Sequence, residues 1–343
     1  MDRSAWRIAV LFAGAALGGS YFSGNEWLRF FAYFGSWGTI GLAAASIGLG
    51  WIGCRVLVSC HRQGVRTLHD LLLHWFGPTF APTFSVLIHL SLLAYAGATA
   101  GMQAMQHMAG AWSWLFVLAP LLLAVVVVSQ GWTTILRGTA ASLAAGLLML
   151  GFVFAEQRHV PIPSLGYQFN ALWLIQAVLY LSLHLLVCLV VVLPLATRAP
   201  RQSTIRAGVL AGTLFFFFAS LLGQAILLAH WHDVHSAALP LAHILASLMP
   251  FADLLHLLLA LGHAGLILGA LVYAMAVPVA VRHDLHMGPL LLAMLAGAGL
   301  FALLPLVSVT AANLAASSAT YCGLLLLGRL LWKGRKPRPK PPA

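Results

Sequence analysis

The chain has 343 residues and only seven carboxylates, and one of them, Glu26, lies inside a long apolar stretch. A carboxylate in apolar surroundings is costly unless it holds a proton, a cation or a hydrogen-bond partner, so it marks a place where chemistry is expected. The residues before it, Gly18-Gly19-Ser20-Tyr21-Phe22-Ser23-Gly24-Asn25, are poor helix material. In lipid a broken helix survives only when buried in protein or beside a wet cavity. Gly18, Gly19, Ser20 and Gly24 would let a solute approach the backbone closely. Ser23 and Glu26 carry the spacing of a capping box, with Ser23 as N-cap and Glu26 at the third helical position. Glu26 then either caps a half-helix, pairing with Arg29 three residues on, or takes a proton or an amine in the cavity. In the second reading the free N–H groups of the half-helix, with Ser23 and Asn25 beside them, receive a solute carboxylate.

Histidines supply the other titratable groups. Tyr180, Ser182 and His184 are the polar residues at the centre of an otherwise apolar run. His256 and His263 lie two turns apart on one face of a later run, and His89 and Tyr95 share an earlier one. Histidines at such depth exchange protons or satisfy buried carbonyls. Paired on facing helices they could instead ligate a b-type haem. His230, His232, Asp233 and His235 form a loop cluster of the type that binds zinc or copper, although a solvated loop needs no metal. Gln103, Gln224 and Asn313 read as hydrogen-bonding links between helices. The four cysteines, Cys54, Cys60, Cys188 and Cys322, lack metal-site spacing and read as small buried residues. No cofactor and no resident metal is expected.

What positions these groups follows from composition. Hydrophobic residues make up 61% of the chain and charged residues 7%, which excludes a soluble domain. Apolar runs near 20 residues indicate membrane-spanning helices rather than barrel strands. We read ten spans, over 6–34 (interrupted at Gly18), 37–59, 83–108, 114–128, 140–155, 172–196, 207–228, 251–277, 288–304 and 307–331. Leu68, Leu71, Leu72 and Trp75 fall at helical spacing and suit an interfacial helix, and 241–248 suits another.

The net charge of +11 does not indicate nucleic-acid binding, because the cations fall in loops at span ends. With the N-terminus inside, sixteen of the 18 Lys and Arg residues lie inside, and only Arg29 and Arg158 lie outside. That asymmetry supports ten spans with both termini cytoplasmic. Two sets of five make an inverted repeat, because five is odd. The expected units are a first five-helix repeat (1–156), an extracytoplasmic connection (157–171), a second repeat (172–332) and a disordered basic tail (333–343). A shift of about 163 residues carries the first span onto the sixth, so both are expected to be discontinuous.

The string Gly18-Gly19-Ser20-Tyr21-Phe22-Ser23-Gly24-Asn25-Glu26, followed by Phe30-Phe31 and Phe34-Gly35, resembles the first helix of YkvI-like bacterial membrane proteins. Leu179-Tyr180-Leu181-Ser182 and Leu193-Pro194-Leu195 are similar to that family's sixth span. The resemblance implies a LeuT-type fold within the amino acid–polyamine–organocation superfamily. It also implies a solute site formed by spans one, three, six and eight. The family's usual alanine is replaced here by Gly19. Sodium-coupled members of the fold carry hydroxyls in span eight, where this chain has Leu261-Gly262-His263-Ala264-Gly265. That favours proton coupling through His263 and Glu26.

The resulting expectation is a multi-pass protein of the bacterial inner membrane that is not an enzyme. Its partners are the bilayer, a small amino acid-like or amine-like solute, and protons. It would work as a secondary transporter by alternating access, or as a ligand sensor on the same scaffold.

Overall fold

A computed structural model describes residues 2–107, 113–162, 170–249 and 251–333. The described chain is all-helical, and eight of its stretches are long and apolar enough to cross a membrane. The helices are α1 (Arg3–Leu17), α2 (Asn25–Phe30), α3 (Gly35–Gln63), α4 (Leu68–His107), α5 (Ser113–Gln130), α6 (Trp132–Glu156) and α7 (Leu172–Ala196). They continue as α8 (Gln202–Ala229), α9 (Trp231–Val234), α10 (Pro240–Leu248), α11 (Ala252–His283), α12 (Met287–Val307) and α13 (Val309–Lys333). The basic tail lies outside the described residues beyond Lys333, as does 163–169 of the connecting segment.

α1 is buried on nearly every face, with Ile8, Leu11, Phe12 and Leu17 at 2% exposure or less. A helix apolar all round belongs at the centre of a bundle. Its start is set by Asp2, whose carboxylate accepts the Ala5 N–H at 2.7 Å and the Thr204 hydroxyl of α8 at 2.8 Å. Close approach to α8 depends on the Gly208–Gly212 pair. A Cβ at either position would stand 2.7 Å from a carbonyl oxygen of α1, that of Ala5 or Ala9. Gly97 and Gly101 of α4 meet the Ala298 and Ala302 carbonyls of α12 in the same way.

Helix α4 is two helices across a kink at Gly77, which adopts φ 78. Before the kink, Thr67 and Asp70 form a reciprocal capping box, each side chain accepting the other's N–H at 3.1 Å. This piece buries Leu68, Leu71, Leu72 and Trp75, the face expected from their spacing. α10 likewise buries Leu241, Ile244 and Leu245. Large apolar side chains remain exposed around the molecule, among them Ile47, Trp51, Leu148, Phe218 and Val281, as lipid contact requires.

One expectation is corrected here. α7 is a continuous helix of 25 residues and does not break at Ser182 and His184. The reason is local. The middle of α7 holds neither glycine nor proline, and the Ser182 hydroxyl donates within its own helix to the Leu179 carbonyl at 2.8 Å. The helix therefore keeps its hydrogen-bond ladder, whereas the first span, rich in glycine, does not.

Candidate functional site

The site is built on the break between α1 and α2. α1 stops at Leu17 because Gly18 adopts φ 72, which a residue with a Cβ rarely tolerates. A single 3₁₀ turn, Tyr21–Ser23, follows, and Gly24 at φ 77 turns the chain into α2. The capping box expected at Ser23 does not form. The Ser23 N–H donates to the Ser20 carbonyl at 3.0 Å, so it has nothing to offer Glu26. Gly24 occupies the cap position, and Glu26 becomes the second helical residue with its carboxylate free to face inward. The Ser23 hydroxyl instead accepts the Asn25 N–H at 3.1 Å.

Breaking a buried helix orphans carbonyls, and each must find a donor. Here side chains from three other helices supply them. On α7, Tyr180, His184 and Cys188 stand one turn apart. The Tyr180 hydroxyl donates to the Ala16 carbonyl at 3.1 Å and His184 Nδ1 to Ala15 at 3.3 Å, while the Cys188 thiol adds a contact to the Phe12 carbonyl, inside α1, at 3.6 Å. From α11, His263 Nε2 donates to Gly18 at 3.0 Å and His256 Nε2 to Phe22 at 2.5 Å. From α4, the Gln103 amide donates to Gly19 at 2.6 Å. His263 Nδ1 lies 2.7 Å from the Ser142 hydroxyl of α6. These histidines spend ring nitrogens on the broken backbone, an arrangement that does not fit axial ligation of a haem.

Glu26 reaches back over the break. One carboxylate oxygen accepts the Ser20 hydroxyl, and the other lies 3.3 Å from His184 Nε2. No ion pair within 4.0 Å joins Glu26 to Arg29; the Arg29 guanidinium lies 5.7 Å from the Phe30 ring centroid. The Tyr95 hydroxyl sits against Gly18, 2.8 Å from where a Cβ there would stand, and makes no hydrogen bond of normal geometry.

Beside the break lies a cavity of about 570 Å³. Of the residues expected at the solute or proton site, Ser20, Ser23, Asn25, Glu26 and Tyr95 line it. Gly18, Gly19, Gly24, Tyr180, Ser182, His184 and His263 do not; all seven are buried behind the lining. Ser182 also donates to the Thr320 carbonyl at 3.2 Å, linking α7 to α13.

Further polar lining comes from α4 and α13: Thr99, Ser317 and Thr320, which the sequence reading did not name, and Gln103 and Asn313, which it read as links between helices. The α13 residues recur at helical spacing, a polar stripe that was visible in the sequence. Gln224 does serve as a link, donating to Thr39 at 3.1 Å. At the mouth, Tyr33 donates to the His235 carbonyl and the Asn25 amide to the Ala238 carbonyl, both at 2.6 Å. His230 lies 3.8 Å from Asp233, and among the described residues no three His, Cys, Asp or Glu side chains converge on a metal-sized space.

No family model matches the sequence. The chain is 22% identical over 268 residues to the uncharacterised membrane protein YkvI of Bacillus subtilis, covering 76% of each. Among solved structures it is similar to the crystal structure of MhsT in complex with L-phenylalanine. That match has a TM-score of 0.61 at 12% identity and covers 98% of this chain and 90% of the other. The fold is thus LeuT-type, and the chain is a multi-pass membrane protein.

Proposed function

We propose that this protein is a secondary transporter working by alternating access, with a small amino acid-like or amine-like solute held in the cavity beside the α1–α2 break. The observation that carries the reading is the break itself. Its carbonyls are held by side chains of α4, α7 and α11, and Glu26 faces a cavity of about 570 Å³, large enough for such a solute. The likeness to MhsT supports the architecture, and the L-phenylalanine in that crystal structure supports the cargo class.

In this reading the chain crosses the bacterial inner membrane ten times, as two inverted repeats of five, with both termini in the cytoplasm. Helix packing supports the repeat. α1 packs on α8 as α7 packs on α3, and α4 packs on α12 as α11 packs on α5. Each pair is the other's counterpart when the halves are exchanged. On the charge map, Asn25, Arg29, Tyr33 and the 235–238 segment are extracytoplasmic, so the cavity opens outward. Glu26 is the proton acceptor of this proposal. His263 is a second proton site, since the Ser142 hydroxyl can turn from donor to acceptor when Nδ1 gains a proton.

The test is uptake by proteoliposomes containing the purified protein, with amino acids and amines as cargo under imposed pH or sodium gradients. Uptake driven by a pH gradient and abolished by Glu26→Gln is expected. Binding without uptake would identify a sensor on the same scaffold.

A further inference from the structure

His184 and Glu26 meet in a geometry that requires a proton. The Ala15 carbonyl can only accept, so His184 Nδ1 carries the hydrogen of that bond. In the neutral ring Nε2 is then a bare acceptor. It faces Oε2 of Glu26, another acceptor, at 3.3 Å, and among the described residues neither atom has any other hydrogen-bond partner. Two facing lone pairs are repulsive, and one shared proton turns the contact into an ion pair or an acid–base hydrogen bond.

The pair is asymmetric in access. The His184 side chain is 0% exposed, whereas that of Glu26 is 17% exposed and lines the cavity. A proton, or anything that competes with it, reaches the pair only through the carboxylate. The other groups facing the pair are Tyr180 and Cys188 on α7, Tyr95 on α4, His263 on α11 and Arg29 on Glu26's own helix. The phenols and the thiol bring no positive charge, and His263 is already bonded to Gly18 and Ser142. Arg29 is exposed and lies by Phe30. Among the described residues Glu26 therefore has one titratable partner at contact distance, His184.

Resting on the transporter reading of this cavity, we propose that a solute ammonium group and the proton of the Glu26–His184 pair compete for the Glu26 carboxylate, so that amine and proton exchange one for one. Binding of the ammonium places a cation beside the carboxylate, and the proton leaves so that a second positive charge does not remain on the adjoining ring. Charge balances, with one monovalent cation in and one proton out. Leu28, Phe30, Leu179 and Leu183 line the same cavity and suit an aliphatic or aromatic body behind the ammonium group. A carboxylate alone has no place at this position, because Glu26 already occupies it.

The probes are L-leucine and isoamylamine, L-phenylalanine and phenethylamine, and the amine-free acid 4-methylpentanoate. Binding to the solubilised full-length protein is followed by thermal stabilisation. Proton release is followed with a pH-sensitive dye in weak buffer. At least one amine-bearing probe is expected to bind and release about one proton, so that its apparent affinity rises with pH. The amine-free acid should not bind. Glu26→Gln should release no proton. His184→Asn can keep the bond to Ala15 while losing the second nitrogen, and it should reduce the proton release that accompanies amine binding. A pH-independent affinity, no proton release, binding of the acid, or no binding of any amine would overturn the proposal. Exchange in detergent without uptake by proteoliposomes would sink the transporter reading and leave the exchange intact. Uptake without proton release would do the reverse.

Discussion

Tyr180 and His184, one turn apart on α7, stack ring on ring at 4.0 Å and hold the adjacent carbonyls of Ala16 and Ala15 at the end of α1. One unbroken helix thus secures the end of the broken one. A break left to its own backbone would bury unpaired carbonyls, each costing about 1–3 kcal/mol.

Removing one of these donors isolates that cost. Tyr180→Phe preserves the stack and the packing of a side chain at 1% exposure but orphans the Ala16 carbonyl. We expect a loss of about 1–3 kcal/mol, read as a lower unfolding temperature in detergent. An unchanged temperature would mean that the hydroxyl is not holding the carbonyl.

Gly18 and Gly19 are adjacent but not equivalent. Gly18 has φ 72, and a Cβ there would stand 2.8 Å from both His184 and Tyr95. At Gly19 the nearest atoms, on Thr99 and Ala264, would be 3.8 and 3.9 Å away, ordinary contact. Gly18→Ala should cost about 1–3 kcal/mol and weaken ligand-induced stabilisation. Gly19→Ala should stay within about 0.5 kcal/mol of wild type. Equal effects on thermal stability would contradict this geometry.

The α1–α8 contact is limited by the size of one residue. A Cβ at Gly212 would stand 2.7 Å from the Ala9 carbonyl and 3.0 Å from Phe12. Gly212→Leu should push the helices apart and cost about 1–3 kcal/mol or more. Chemical crosslinking between cysteines placed on the two helices should fall together with the unfolding temperature. Wild-type behaviour in both would place the helices further apart than described.

Asp2 makes the start of α1 sensitive to acid. Bonds from the Ala5 N–H, first, and the Thr204 hydroxyl hold its carboxyl below the usual carboxylate range. A lowered folded value stabilises the folded end above the unfolded value, near pH 3.9. That contribution is lost as pH falls through the folded value. Hydrogen exchange over residues 3–8, compared between wild type and Asp2→Asn, should differ at neutral pH and converge in acid. A difference that persists unchanged below the carboxylate range would assign the effect to packing instead.

Much of this was legible in the chain. Apolar run length gives the membrane helices, and the interrupted run at Gly18 to Gly24 gives the break, because glycine-rich segments cannot hold a helix in lipid. The spacing of Leu68, Leu71, Leu72 and Trp75 gave a face that is indeed buried. Less legible was α7. Its Ser182 and His184 looked like a second break, yet both side chains bond carbonyls, one in its own helix and the other in α1, and the helix stays intact. The polar stripe of Asn313, Ser317 and Thr320 was on view, but only Asn313 was singled out, as a link between helices.

By itself, then, the sequence determined that the chain lies in a membrane, where its first helix fails, and that a carboxylate stands at that failure. Those properties depend on local composition and on the cost of bare backbone in lipid. Only the tertiary structure decided what Glu26 faces. Ser23 loses its capping role because its N–H is spent on Ser20, and Arg29 is left by Phe30. His184, more than 150 positions along the chain, arrives opposite the carboxylate. Partners brought together from distant helices follow from packing, which no local spacing records.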